Sequence, residues 1–432
     1  MKESKEIEKI IEIEYPSLLK SYCWFHSNPE LPNHEENTAL VLGDELIKCG
    51  FQVFRNVGGF GVVGLFENGS GPTILFRAEL DALPILEDTD LSFQSHIYQN
   101  NIDDKVTPVM HACGHDLHLT CAIGIARVCN QLHDYWRGTL IIIGEPAEEI
   151  GSGARAMISD NLFSKIPSPQ YSFAIHVDPN LLSGKVGFID GIFSIGREDF
   201  LLKIMLKNDW KYNPIVYQNK FIIFFSKLLS LFLERLSKAY TLFRLECAIL
   251  CFNLNKVFIS NKYFKDDAYF ENVVQIPFFR SIDSFELRFI FCYSNIKVKE
   301  KIILEFKNSL DYFFKLFKLN IESSTVIIKK DECIPPIINN SELTHFAKNV
   351  AKENLGNEKI ETIYYLFGVD DYSLFVKNGI KNCYFKLGSG FAYKNQNFPL
   401  HSNHFSPDIE PTLKTGILAM SSILIKTFQE SP

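Results

Sequence analysis

The chain has 432 residues, of which 46% are hydrophobic and 22% charged, a globular composition with room for one large domain or two ordinary ones. A net charge of −7 without any run of Lys or Arg excludes a generic nucleic-acid binder. Residues 1–15 lack an apolar signal core, and the most apolar helix-length stretch, 221–233, is short and carries Lys227, so a cytoplasmic protein that does not cross a membrane is expected.

In chain order, residues 7–27 read as an amphipathic helix and 37–49 as a second one stopped by Gly50. Strands are expected at 51–54, 61–66 and 73–76, the last delivering Arg77 to Pro84 at its end. A helix follows at 117–132, a buried strand at 138–144, a helix from Ala154 and a strand at 171–176. Such alternation indicates a mixed or parallel sheet with helices on its faces, where function gathers at the C-terminal ends of strands.

The middle of the chain reads differently. A strand at 199–206, a helix at 220–240, strands at 248–260 and 285–293, a helix at 298–317 and a strand at 321–329 give the order β-α-β-β-α-β, a ferredoxin-like α+β unit. The expected architecture is therefore α/β, with a catalytic domain in two parts, 1–195 and 331–432, and an inserted lid or dimerisation domain at 196–330. A helix at 341–354 reopens the main domain.

The chemistry-bearing residues occur as an ordered set. Cys113 and His115 lie two residues apart in Met110-His111-Ala112-Cys113-Gly114-His115-Asp116. The acidic pair Glu148-Glu149, His176 and His401 follow. One thiolate, three imidazoles and a carboxylate suffice to ligate one or two transition-metal ions, and a second carboxylate beside a ligating one is what a metal-assisted hydrolase needs as general base. The other nine of the ten cysteines read as reduced, small core residues. His111 and His118 read as structural or supporting residues, His26, His34, His96, His133 and His345 as surface or packing residues, and His404 as a bystander.

These motifs, together with His26-Ser27-Asn28-Pro29-Glu30-Leu31, Arg77-Ala78-Glu79-Leu80-Asp81-Ala82-Leu83-Pro84, Pro146-Ala147-Glu148-Glu149, Gly368-Val369-Asp370-Asp371-Tyr372 and Leu400-His401-Ser402, resemble the metal-dependent amidohydrolases that cleave N-acyl amino acids. This is the aminoacylase and carboxypeptidase-like dinuclear peptidase superfamily, which includes hippurate and indole-acetyl-amino-acid hydrolases. The resemblance implies a dinuclear-metallopeptidase-like catalytic domain. It makes Cys113, His115, Glu149, His176 and His401 the metal ligands, Glu148 the general base and Asp81 an orienting carboxylate. It also implies divalent ions (zinc or manganese first, nickel or cobalt tolerated), a small-molecule amide substrate, metal-activated water as the attacking group and a homodimer through the inserted domain.

The inserted domain departs from that family. Where relatives carry a Gly-Gly-His-Ala-like segment this chain has Lys207 to Pro214, and no histidine occurs between His176 and His345. The expected carboxylate-anchoring arginine falls near Phe291-Cys292, with Arg288 in another register, and Glu145 stands where an uncharged amide is usual. Loss of one oxyanion donor costs about 100- to 1,000-fold in turnover. Asn208, Trp210, Tyr212 and Asn272 are the local candidates for replacement substrate contacts. The expected function is an amidohydrolase of altered specificity; the alternative is a non-catalytic metal-binding relative that uses the Phe-rich insert as a ligand- or protein-binding surface.

Overall fold

A computed structural model describes residues 2–101, 104–206, 244–253, 256–265, 268–277, 284–293, 300, 304, 308, 321–328, 333–364, 368–376, 379–392 and 397–432. The chain divides into two compact units, one of Met1–Phe193, Ile337–Leu366 and Asp370–Pro432, the other of Ser194–Pro336 with Phe367–Val369.

The first unit opens with helices α1 (Lys2–Ser27) and α2 (Glu36–Lys48) and strands β1 (Gln52–Val57), β2 (Gly61–Asn68) and β3 (Thr73–Glu79). The short hairpin of β4 (Tyr98–Asn100) and β5 (Val106–Pro108) follows. Then come α3 (His115–Gln131), β6 (Gly138–Glu145), α4 (Gly153–Ser159), α5 (Leu162–Lys165), β7 (Tyr171–Leu182) and β8 (Val186–Phe188).

Six strands of the second unit come next: β9 (Gly196–Leu206), β10 (Arg244–Asn253), β11 (Lys256–Lys265), β12 (Ala268–Pro277), β13 (Ser284–Tyr293) and β14 (Ile321–Ile328). The chain then returns to the first unit with α6 (Ser341–Leu355), β15 (Ile360–Thr362), β16 (Lys381–Gly390) and α7 (Ile409–Glu430). No helix among the described residues is long and apolar enough to cross a membrane.

One eight-stranded sheet, in the order β1-β2-β6-β3-β7-β16-β8-β15, organises the first unit. Its centre is parallel, since β3 pairs with both β6 and β7 and β16 pairs with β7 in that sense, while β1, β2 and β8 add antiparallel pairs. Every residue of β3 is buried, as a strand covered on both faces requires. Helices α1, α3, α6 and α7 pack with one another, and α3 buries almost its whole length. Asn340 caps α6 by accepting the Leu343 N–H at 2.9 Å, and Gly356 ends it at φ +99°.

In the second unit, β10, β11 and β12 form one three-stranded sheet and β13, β9 and β14 another. The single strand expected at 248–260 is in fact two. β10 stops at Asn253 and β11 starts at Lys256, and these two residues pair antiparallel across a two-residue connection. The polar Asn253 and Asn255 interrupt the apolar run where the chain reverses. β12 is a further strand that the β-α-β-β-α-β reading lacks. The helix expected at 220–240 lies outside the described residues, and of 298–317 only Glu300, Leu304 and Asn308 are described, each of them helical.

His26 also differs from its reading as a surface or packing residue. It is buried, with Nδ1 2.7 Å from Asp116 Oδ2 and Nε2 3.0 Å from Glu87 Oε1. Burial works against its charge, but the two carboxylates outweigh it and raise the imidazole to about 9. The folded value lies above the unfolded value of about 6.5, so this stabilisation is complete below pH ~6.5 and is lost as pH rises through about 9. His26→Gln should therefore destabilise the protein most at pH 6. Its deficit in denaturation midpoint should shrink toward pH 9; a deficit constant with pH would mean that His26 is neutral in the fold.

Candidate active site

The site forms where the parallel strands β3 and β6 end, beside the middle of β7. β3 and β6 finish in register, Glu79 opposite Glu145, and the Leu80 N–H donates to the Glu145 carbonyl at 2.7 Å. Asp81 and the Pro146-Ala147-Glu148-Glu149 turn are thus brought side by side. The Asp81 carboxylate accepts the Glu149 N–H at 2.9 Å through Oδ2 and lies 3.3 Å from His115 Nδ1 through Oδ1. The same Nδ1 is 2.8 Å from the Asp81 carbonyl, which fixes the ring with Nε2 turned toward the two glutamates, 3.8 Å from each.

Cys113 lies in the turn that leads into α3. Gly114, at φ +80°, follows it, and a Cβ there would meet Val177 Cγ2 at 2.4 Å, so only glycine lets the turn reach β7. His176 on β7 places Nε2 3.5 Å from Cys113 Sγ and donates Nδ1–H to the Val177 carbonyl at 2.8 Å. His401 is tied by its backbone N–H to the Ala112 carbonyl at 2.9 Å, which sets its Nε2 3.3 Å from Cys113 Sγ and 3.6 Å from Glu149 Oε2. Its side chain is 53% exposed, so it stands at the mouth, while Cys113, His115 and His176 are buried.

Cys113, His115 and His176 form one group of converging ligand atoms; Cys113, Glu149 and His401 form a second; and His115, Glu148 and Glu149 form a third. The thiolate is common to the first two. His115 Nε2 and Glu149 Oε1 are buried without a hydrogen-bond partner, as donor atoms kept for a cation would be. The charge balance agrees. Burial raises the Cys113 thiol well above its usual range, with Glu149 and Glu148 adding to the shift, and burial raises Glu148 in the same way, reinforced by Asp370 and Glu149. For His115, burial is outweighed by Asp81, Glu79 and Glu149, which lift it to about 10. A cleft that holds on to protons in this way is short of positive charge, and divalent cations supply it. Cys with His and carboxylate is a donor set that suits such ions.

A family model described as peptidase family M20/M25/M40 matches residues 75–426. The chain belongs to this family. Among its curated relatives, thermostable carboxypeptidase 1 of Saccharolobus solfataricus is 27% identical over 408 residues, 93% of each chain. Hippurate hydrolase of Campylobacter jejuni is 27% identical over 390 residues, 88% of each. The crystal structure of Bacillus subtilis YXEP, a dinuclear metal binding peptidase from the M20 family, has the same fold, with a TM-score of 0.69 at 19% identity over 97% of this chain and 99% of that one. As an M20/M25/M40 member this protein is a metal-dependent hydrolase of amide bonds.

Of the residues singled out in the sequence, Cys113, His115, Glu148, Glu149, His176, His401 and Asp81 meet at one place. Asn208, Trp210 and Tyr212 lie outside the described residues, and Asn272 sits on β12 opposite Asn261 of β11. His118 is buried with Nδ1 2.8 Å from Glu79 Oε2, and its Nε2 accepts the Val177 N–H at 3.0 Å. His404 is bound to the Asp88 carbonyl through Nδ1 at 2.5 Å.

Two groups escaped the sequence reading. Arg77, fully buried, is ringed by Glu79, by Glu145 Oε2 at 2.5 Å, by Asp370 Oδ1 at 3.1 Å and by Asp371 Oδ1 at 3.8 Å. Buried Glu35 accepts the Asn33 N–H at 2.9 Å and the Ala147 N–H at 2.7 Å through Oε1. Ala147 has φ +51°, an uncommon conformation for alanine, and it is the residue that aims Glu148 and Glu149. Glu35→Ala should relax this turn and lower kcat by about 100-fold, the cost of misplacing a catalytic group by an ångström. Glu35→Gln, which keeps the acceptor, should lose much less, and steady-state kinetics on the two variants will check this.

Proposed function

We propose that this protein hydrolyses the amide bond of an N-acyl amino acid or a related small metabolite, with Glu148 as general base. Cys113, His115, Glu149, His176 and His401 would hold one or two divalent transition-metal ions, zinc or manganese first, with nickel or cobalt as substitutes. The single observation that carries this reading is the convergence of two ligand groups on one buried thiolate, with Glu148 beside them. When bound, the ions activate water and polarise the scissile carbonyl. The chain's residues do the rest. Asp81 and the Val177 carbonyl orient the His115 and His176 rings. Glu148 Oε2, 3.8 Å from His115 Nε2, takes a proton from the attacking water and passes it to the leaving nitrogen. Its side chain is only 10% exposed, which limits the access of bulk water to that transfer.

Substrate choice belongs, in this reading, to residues 196–330, acting as a lid, with Asn208, Trp210, Tyr212 and Asn272 as contacts.

The experiment that tests the function is metal analysis of the purified protein combined with a panel of N-acetyl, N-benzoyl and dipeptide amides. Slow turnover of ordinary N-acyl amino acids and faster turnover of another member is expected, because the lid lacks a histidine donor. Bound metal with no turnover of any amide would support the non-catalytic relative with a ligand- or protein-binding Phe-rich insert. Sedimentation would test the homodimer through the insert.

A further inference from the structure

We propose that Glu145 and Asp371 share a single proton beneath Glu148, and that this acid pair is a positioning element of the site. The first ground is hydrogen-bond geometry. Glu145 Oε2 accepts from Arg77 Nε at 2.5 Å, and Asp371 Oδ2 accepts the Ala154 N–H at 3.2 Å. The remaining oxygens, Glu145 Oε1 and Asp371 Oδ1, are buried without a hydrogen-bond partner, and both carboxyls lie against the same guanidinium, that of Arg77. Two bare carboxylates so placed would repel. One proton between them satisfies both orphaned oxygens at once.

The second ground is charge. Facing the pair are Arg77 and Glu79 on β3, Glu148 after β6, Asp370 before the Asp371–Leu374 turn, and Tyr384 on β16. Glu148, Asp370 and Asp371 place carboxylate oxygens within 4.8 Å of one another. His118 donates Nδ1–H to Glu79 and accepts the Val177 N–H at Nε2. The cluster thus has four buried carboxyls, Glu79, Glu145, Asp370 and Asp371, with the partly buried Glu148, and the guanidinium of Arg77. Arg77 is already engaged by Glu79, Glu145 and Asp370, and Asp370 is further fixed by the Tyr384 hydroxyl at 2.8 Å and the Tyr372 N–H at 2.8 Å. Asp371, whose Oδ1 lies 3.8 Å from the guanidinium, has only the proton left. Burial and the neighbouring carboxylates push Asp371 well above the usual carboxyl range, in agreement with this.

The consequence is positional. Glu145 ends β6, Glu148 begins the turn after it, and Asp371 opens the turn that supports Glu148 from the other side. The shared proton ties these two walls together; without it they would part and Glu148 would move. The glutamate at 145 in place of an amide makes the tie titratable, whereas an amide would make it permanent. The positional part of this proposal rests on Glu148 being the base; the shared proton does not.

Infrared difference spectra of the metal-replete full chain test the proton directly. Glu145→Gln and Asp371→Asn should each remove the same deuterium-sensitive C=O stretch of a protonated carboxyl, and the double variant should remove nothing more. Two distinct bands, or no lost band, would overturn the shared proton. Thermal midpoints give a second measure that needs only Glu145→Gln to fold. A carboxyl whose folded value is raised makes stability fall as pH climbs from its unfolded value to its folded one, so the wild type should lose midpoint relative to E145Q between pH 5 and 8; parallel curves would overturn the claim. For positioning, Glu145→Leu should lower kcat by about 10-fold or more against Glu145→Gln, with KM and metal content held, on whichever panel amide is turned over. An equal kcat in both would overturn the positional role. A panel with no turnover would count against the hydrolytic reading alone, with the infrared result still deciding the proton.

Discussion

Glu148→Gln will remove hydrolysis and leave the bound metal in place. The two neighbouring glutamates have different surroundings. Glu149 lies 3.6 Å from His401 Nε2 and shares a ligand group with Cys113 and His401, whereas Glu148 shares its other group with Asp370 and Asp371, which no ligand reading includes. An amide at 148 keeps the shape of the side chain and cannot take a proton. General acid–base catalysis contributes about 100- to 10,000-fold, so kcat should fall by at least that factor while metal stoichiometry is unchanged. Glu149→Gln should instead lower the metal content. Elemental analysis beside steady-state kinetics separates the two. Equal metal loss in both variants would show that the acidic pair acts as one unit and that the assignment of a separate base is wrong.

The pH behaviour of the same pair follows from its setting. Burial and the nearby carboxylates raise Glu148 well above the usual carboxyl range. Divalent charge at the ligand groups would favour the Glu148 carboxylate, the form a general base needs, so a chelated protein should be inactive even with every residue in place.

The main sheet could be read from the sequence because its strands are apolar runs bounded by turns, and β3, β6 and β7 sit within a few residues of where periodicity puts them. The convergence of the candidate ligands was legible because Cys113, His115 and the Glu148-Glu149 pair stand in short local motifs that the fold brings together with His176 and His401. β16 and α7 were not read. β16 carries Lys386 in mid-strand, which breaks the apolar pattern, and the break is repaired only in three dimensions, where Lys386 is buried 2.9 Å from Asp178. α7 is buried along most of its length, so its apolar residues run round the helix and no single stripe stands out. The roles of Glu35, Arg77 and Asp371 were invisible for the same reason as Lys386. A buried charge is explained by its partner, and Glu35 meets Ala147 across 112 residues of sequence while Arg77 meets Asp370 across 293.

Cys113→Ala should lose both metal positions, where any single histidine variant loses one. The thiolate is the ligand common to the group with His115 and His176 and the group with Glu149 and His401, so it is the one atom whose removal leaves each cation with two protein ligands from its group. His401→Ala spares the first group and should leave one ion bound. The loss is distinguishable from misfolding. Cys113 is buried in a turn held by backbone bonds, Gly114 N–H to the His111 carbonyl at 3.3 Å and His401 N–H to the Ala112 carbonyl at 2.9 Å, and neither needs the sulfur. The metal-free variant should therefore melt where the chelator-stripped wild type melts. Both should melt below the metal-loaded wild type by the stabilisation that a ligand bound only to the folded state confers, about 2.7 kcal/mol at a hundredfold excess over Kd. Retention of two ions by Cys113→Ala, with affinity unchanged, would mean that the histidines and Glu149 suffice to hold the metals without the thiolate.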